Sequence, residues 1–129
     1  MLQPILTERL ILRTLEASDA DAVYAYRVDP EVSRYQNWPL LSRDSVRAFL
    51  TRQHGMEPFA SADWFQIGIT LRDTGEVVGD CGLHARDNDR RQVEVGITLA
   101  RSFQHRGLGS EALSALLEFL FSQPDTHRV

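Results

Sequence analysis

Two stretches of this chain alternate apolar and polar residues with a period of two, and a further strand candidate lies between them. Residues 64–71 set Phe65, Ile67, Ile69 and Leu71 in phase. Residues 76–85 form the candidate between, and residues 92–99 set Val93, Val95, Ile97 and Leu99 in phase. That period is the pleat of a strand with one buried face. Asp73-Thr74-Gly75 is too short to carry a crossover, so residues 64–71 and 76–85 must pair as an antiparallel hairpin. A polar connection at residues 87–91 joins the third strand to them.

The rhythm then changes. Ala112, Leu113, Leu116, Leu117 and Leu120 recur at helical spacing, which predicts a helix over residues 107–121, with Pro124 past its end. Upstream, Leu10 and Leu12 alternate with Ile11 and Arg13 in a first strand over residues 7–15. Ser18 reads as the N-cap of a helix with Asp19 and Asp21 in its first turn, continued by Ala22, Val23 and Tyr26. Asp29-Pro30 breaks that helix, because the residue before proline avoids the α region. A short helical turn is expected at residues 31–34 and a loop at Asn37-Trp38-Pro39. Ser42 caps a second helix whose Val46, Phe49 and Leu50 face inward and which ends before Gly55. Residues 56–62 read as irregular, and residues 126–129 as the start of another strand. The order β-α-α-β-β-β-α describes an α+β chain: a mainly antiparallel sheet flanked by helices. With 129 residues and no repeat or linker, one domain is expected.

Charge removes some functions. A net charge of −4 supplies no basic face for nucleic acid or for an anionic membrane surface. No apolar run is long enough to span a bilayer. All 14 basic residues are arginine, which excludes a Schiff-base or P-loop lysine. Cys81 is the single cysteine; it reads as a small buried strand residue and suits a cytoplasmic compartment. No metal site is expected.

Between the third strand and the last helix lies Gln104-His105-Arg106-Gly107-Leu108-Gly109. A helix cannot satisfy its first backbone N–H groups, and its dipole adds positive potential there. Gly107 and Gly109 lack a Cβ, so a diphosphate can approach the backbone closely, with Arg106 and His105 as further donors.

This turn fits the Q/R-x-x-G-x-G/A pattern of the GCN5-related N-acetyltransferases (GNAT). The opening Thr7-Glu8-Arg9-Leu10-Ile11-Leu12-Arg13 resembles the first strand of the subgroup that includes the ribosomal-protein N-terminal acetyltransferases. Asp29-Pro30-Glu31-Val32, Trp38-Pro39, Gly79 and Glu94-Val95-Gly96 are similar to the same subgroup. The resemblance implies acetyl-CoA as donor, its pyrophosphate held by Gln104, His105, Arg106, Gly107, Leu108, Gly109 and Ser110. It implies that Ile97, Thr98 and Leu99 pair with the pantetheine arm as if it were a strand. An acceptor amine, on a peptide or a small molecule, then attacks the thioester directly. Glu94 would take its proton or position a water, and Tyr35 and Trp38 would border the acceptor. A further strand, a helix and a strand pair are expected past Val129, carrying the tyrosine that protonates the leaving thiolate. This chain alone is therefore expected to be a poor catalyst, with an unpaired strand edge that favours homodimerisation.

Several residues also carry plainer readings. His84 can relay a proton or be a hydrogen-bonded strand histidine, and His54 sits near a helix C-terminus. Trp64 can be core or pocket wall, Arg101 can meet CoA phosphate or water, and Glu111 can simply complement the helix dipole. Three competing readings remain, one of them a plain structural remnant that binds nothing. Gly107-Leu108-Gly109-Ser110-Glu111-Ala112 also fits the dinucleotide fingerprint, which instead expects an early βαβ unit. A non-catalytic acyl-CoA-binding module would keep the turn and lose the chemistry.

Overall fold

Every strand pairing is antiparallel, and neighbours in the sheet are neighbours in sequence, β1-β2-β3-β4-β5. The structure is a computed structural model and describes residues 3–29, 42–55, 64–86 and 89–122. The strands are β1 (Ile5–Leu6), β2 (Leu10–Thr14), β3 (Phe65–Leu71), β4 (Val77–Arg86) and β5 (Asp89–Leu99). The helices are α1 (Ala20–Arg27), α2 (Arg43–Gln53) and α3 (Leu108–Phe121). The expected order holds, with one addition: the two-residue β1 doubles back on β2. β5 also begins earlier than its apolar alternation shows, because residues 89–91, read as a connection, already belong to the strand. The antiparallel meander before the glycine turn removes the dinucleotide-fold reading, which needs parallel strands.

One sheet face is dry. Leu10, Leu12, Ile67, Ile69, Cys81 and Leu83 pack with Ala112, Leu116 and Leu120 of α3, all fully buried. Burying a leucine side chain contributes about 1.5–3 kcal/mol, so this layer supplies much of the stability. Cys81 is inside it, as expected, and burial pushes its thiol well above the ordinary range, which makes it inert. The other face carries α1 and α2, whose Val23, Val46 and Leu50 close over Leu15. Gly68 is where that leucine fits: a Cβ there would meet Leu15 Cδ2 at 2.6 Å.

Polar side chains fasten the layers. The Ser42 hydroxyl accepts from the Ser45 N–H at 3.1 Å, the expected cap of α2. The cap expected at Ser18 is not used. Residues Ala17–Asp19 form a 3-10 turn, α1 starts at Ala20, and the Asp19 carboxylate accepts from the Glu16 N–H at 2.8 Å and from Arg13 at 2.9 Å. Pairing between β2 and β3 ends at Thr14 and Ile67, and the buried Gln53 amide takes over the ladder. It donates to the Gln66 carbonyl at 2.7 Å and accepts from the Gln66 N–H at 3.1 Å. Deeper still, Asp80 of β4 pairs with Arg27 at 2.6 Å and accepts from the Tyr26 hydroxyl. Burial pushes the Asp80 carboxyl up, and Arg27 and Tyr26 pull it back. Burial also raises the Tyr26 hydroxyl, so it keeps the proton it donates. On the dry side, Glu111 of α3 accepts from the Thr7 hydroxyl at 2.5 Å, the Arg9 N–H at 2.8 Å and the Arg9 guanidinium at 2.7 Å.

Two outcomes follow from these contacts. Asp80→Ala removes the carboxylate that pairs with the buried Arg27 guanidinium, and the urea midpoint should fall by the equivalent of about 3–5 kcal/mol. Glu111 titrates the other way: the Thr7 hydroxyl, then the Arg9 N–H and guanidinium, hold its carboxyl below the usual range. A depressed folded value contributes stability above the unfolded carboxylate range and loses it as pH falls through the folded value. The stability gap between wild type and Glu111→Gln should therefore be largest at neutral pH and shrink on acidification. Urea melts between pH 7 and about pH 4 check this.

Candidate acetyl-CoA turn and acceptor face

β5 leads into α3 through eight residues that never leave the end of the sheet. After Leu99 a 3-10 turn, Arg101–Phe103, reverses the chain. The Gln104 side chain then reaches back and donates to the Leu99 carbonyl at 3.1 Å. Its N–H donates to the Arg101 carbonyl at 3.2 Å. Gln104 is thus engaged in shaping the turn, and its amide is not among the N–H groups left open. His105 has φ 64° and Gly107 φ 79°, so the chain twice enters the left-handed region before the helix starts. Glycine is suited to the second position; the histidine at the first carries the cost that a Cβ brings there.

Gly107 is the N-cap and has no side chain to cap with. The first N–H engaged at the helix start is that of Glu111, which donates to the Gly107 carbonyl at 3.1 Å. The N–H groups of Gly107, Leu108, Gly109 and Ser110 have no acceptor among the described residues. They form a concentrated donor array at the positive end of a 14-residue helix. Leu108 itself is buried in the core, so only its backbone faces the ligand side. Gly109 lies against the end of β5: a Cβ there would touch Leu99 Cδ1 at 3.5 Å. His105 and Arg106 are exposed beside the turn, the Arg106 guanidinium 5.4 Å from the centre of the Phe103 ring.

β5 is the last strand of the sheet, and its outer edge has no strand partner among the described residues. Ile97 and Leu99 turn toward the α3 core, and the buried Thr98 sits opposite Asp80 on the α1 side. Glu94 shares the Thr98 face, is exposed, and sits opposite His84. The register also brings Gly82 opposite Gly96, so glycines floor this face where Trp64 crosses it. A Cβ on Gly82 would meet the Trp64 ring at 2.8 Å, and one on Gly96 would meet it at 3.9 Å. Trp64 is therefore not core: it is 39% exposed and stacks on His84 with ring centres 5.2 Å apart. His84 does not fit the hydrogen-bonded reading either, because its Nδ1 is buried without a partner.

Arg101 is not a loose cation at the turn, since it pairs with Asp29 at the end of α1. His54 caps α2, with Nε2 3.7 Å from Glu16. Tyr35 and Trp38 lie outside the described residues, as do the short helical turn expected at residues 31–34 and the strand start at residues 126–129. Sequence reasoning missed Asp80 and the contacts of Arg9. An aspartate inside an apolar strand was the available signal for the first, because a buried carboxylate demands a cation. The second had no local signal, since Arg9 and Glu111 lie 102 residues apart. Among the described residues no cluster of metal-ligating side chains occurs, and no helix is long and apolar enough to cross a membrane.

Comparison with known proteins agrees with this architecture. Residues 9–129 match the acetyltransferase (GNAT) domain. An "uncharacterized N-acetyltransferase p20" of Bacillus licheniformis is 31% identical over 129 residues, 99% of this chain and 71% of that protein. The N-acetyltransferase YoaA of Bacillus subtilis is 31% identical over 98% of this chain and 71% of its own length. Among solved structures, a GNAT-family acetyltransferase from Bacillus anthracis superposes with a TM-score of 0.79 at 24% identity, covering 93% of this chain and 67% of that one. RimL, a ribosomal L7/L12 α-N-protein acetyltransferase solved in complex with coenzyme A, superposes with a TM-score of 0.76 at 21% identity, covering 96% of this chain and 71% of that one. A meander that ends in a glycine turn and a core helix, matched along nearly its whole length, places the chain in the GNAT acetyltransferase family.

Proposed function

We propose that this chain carries the donor half of an acetyl-CoA-dependent N-acetyltransferase that acetylates a primary amine by direct attack. The observation that carries this reading is the row of backbone N–H groups from Gly107 to Ser110 at the positive end of α3, which meet no acceptor among the described residues. That donor set suits a diphosphate, which needs several donors converging within one helical turn. Gly107 and Gly109 keep Cβ atoms away from it, and His105 and Arg106 flank it. Acetyl-CoA, when bound, supplies the thioester. The outer edge of β5 around Ile97–Leu99 offers backbone groups to the pantetheine amides, which act as a short added strand. The Leu99 carbonyl already accepts from Gln104, so the pairing falls on the groups before it.

The acceptor enters over the face that holds Glu94. Most amines are protonated near neutral pH, so a base must take a proton before nitrogen can form the new C–N bond. Glu94 accepts that proton, directly or through a water, before the C–N bond forms; the nitrogen then gives up a second proton to solvent as the C–S bond breaks and coenzyme A leaves as thiolate. Tyr35 and Trp38 border the acceptor in this reading. An acceptor amine on a peptide or on a small molecule meets the same requirement.

Gly107→Ala should weaken coenzyme A binding about tenfold, because a Cβ in the left-handed region costs roughly 1–2 kcal/mol and re-aims the N–H row. Calorimetry measures it, and absence of any heat from the unaltered chain sinks the acetyl-CoA reading. In a full-length, active enzyme, Glu94→Gln should slow acetyl transfer by about 10²–10⁴-fold near neutral pH, with partial recovery in alkaline buffer where the free amine rises. Thiol release across a panel of amines reads the rate; an unchanged rate at neutral pH removes Glu94 from the chemistry.

A further inference from the structure

The glycine turn is held from outside itself as well as by Gln104. Two left-handed residues, His105 and Gly107, precede a helix whose N-cap has no side chain. What else steadies it comes from the other end of the chain. The Arg9 guanidinium donates through Nε to Glu111 at 2.7 Å and through Nη1 to the Arg106 carbonyl at 3.0 Å. Its Nη2 stands 3.4 Å from where a Cβ on Gly107 would lie. One planar side chain therefore touches the turn before, at and after its glycine.

The arch that presents Arg9 is itself braced. The Leu10 N–H donates to the Thr7 hydroxyl oxygen at 2.9 Å, and that hydroxyl donates to Glu111 at 2.5 Å. Arg72, in the turn between β3 and β4, donates its N–H to the Arg9 carbonyl at 2.9 Å and its guanidinium to the Thr7 carbonyl at 2.7 Å. Glu111 stands in the first turn of α3, where an uncompensated carboxylate would repel an arriving diphosphate. Both of its oxygens are instead occupied by donors from the arch.

We propose that Thr7, Arg9 and Glu111 form a latch that presets the cofactor turn, with Arg9 as a positioning residue for acetyl-CoA. The inference rests on the acetyl-CoA reading above. The latch fixes the direction of the Arg106 carbonyl and hence of the N–H groups that follow it. It also cancels the one negative charge on the first turn of the helix. Lysine cannot replace arginine here, because an ammonium lacks the fork that reaches Glu111 and the Arg106 carbonyl together.

The test compares two ligands on the full chain: coenzyme A, which carries the diphosphate, and S-acetylpantetheine, which does not. Arg9→Ala and Arg9→Lys should each raise the Kd for coenzyme A by about tenfold and leave that for S-acetylpantetheine within about twofold, as followed by NMR titration. In the ligand-free chain, the Gly107 and Gly109 amide signals should shift in both variants and stay in place in Arg47→Ala, a control on an exposed turn of α2. Equal weakening of both ligands would reduce Arg9 to a general structural role and overturn the proposal. So would unchanged coenzyme A affinity with unmoved glycine signals. If the unaltered chain takes up S-acetylpantetheine or nothing, but not coenzyme A, the acetyl-CoA reading fails and the latch falls with it. If the unaltered chain binds coenzyme A and the Arg9 variants bind it equally well, only the latch falls.

Discussion

An α-helix begins with donors it cannot use, and this structure is arranged around one such beginning. α3 fills the dry side of the sheet with Leu108, Ala112, Leu116 and Leu120, so its position is set by the core rather than by any ligand. Its N-terminus therefore arrives at the end of β5 in a fixed place, and the glycine there keeps the first turn open. In most proteins such donors are met by a serine or aspartate cap, as Ser42 does for α2. At α3 the cap position is a left-handed glycine, and among the described residues the first donors of the helix meet no acceptor.

The two faces of the sheet divide the labour. On the α3 side the strands are closely apolar and the layer is a packed core. On the α1 and α2 side the same strands carry Gln66, Asp80, His84, Glu94 and Thr98, interleaved with Gly68, Gly82 and Gly96. The glycines lower the floor: Leu15 fills the space at Gly68, and the Trp64 ring lies over Gly82. Toward the α1 end the polar face is sealed by the Arg27–Asp80–Tyr26 network. Toward the other end Glu94 stays exposed. A buried charge cluster of this kind adds little net stability over an apolar filling. Its effect is to fix where α1 sits across β4, and with it the depth of the face beside Thr98.

Much of this was legible in the sequence because the relevant signals are local. Alternation marked β2, β3 and β5, the tight turn at Asp73-Thr74-Gly75 marked β4, helical spacing marked the buried stripe of α3, and Ser42 with the Val46–Leu50 face marked α2. The misreadings come from places where tertiary contacts outrank local preference. Ser18 has the chemistry of a cap, yet Arg13 draws Asp19 into an ion pair, so residues 17–19 close as a 3-10 turn and α1 starts later. Polar residues 89–91 read as a connection, but β5 reaches back to Asp89, which pairs with Arg86 across a register shift. Trp64 carries no local mark of its stacking on His84, since the contact depends on the register between β3 and β4. In the turn, the glycines and the helix start were visible. The engagement of Gln104 with Leu99 was not, because the same residue type can serve a ligand or the loop itself.

The contacts of Arg9 show why a weak interaction can still matter at such a site. The Arg9–Glu111 pair is partly exposed, with the arginine side chain 47% accessible, and pairs of that kind contribute only about 0–1 kcal/mol to folding. Stability is the wrong measure of it. A diphosphate site needs several N–H vectors to converge within one turn, and the turn here carries two left-handed residues. A bias of ~1.4 kcal/mol toward the convergent arrangement shifts apparent affinity about tenfold while scarcely moving a melt. The arch can supply that bias because it is tied to β2 on one side and to Arg72 on the other, which leaves Arg9 with little freedom of its own. The turn between β1 and β2 thus reaches the N-terminal end of the last helix through one side chain, a link that neither segment carries in its own sequence.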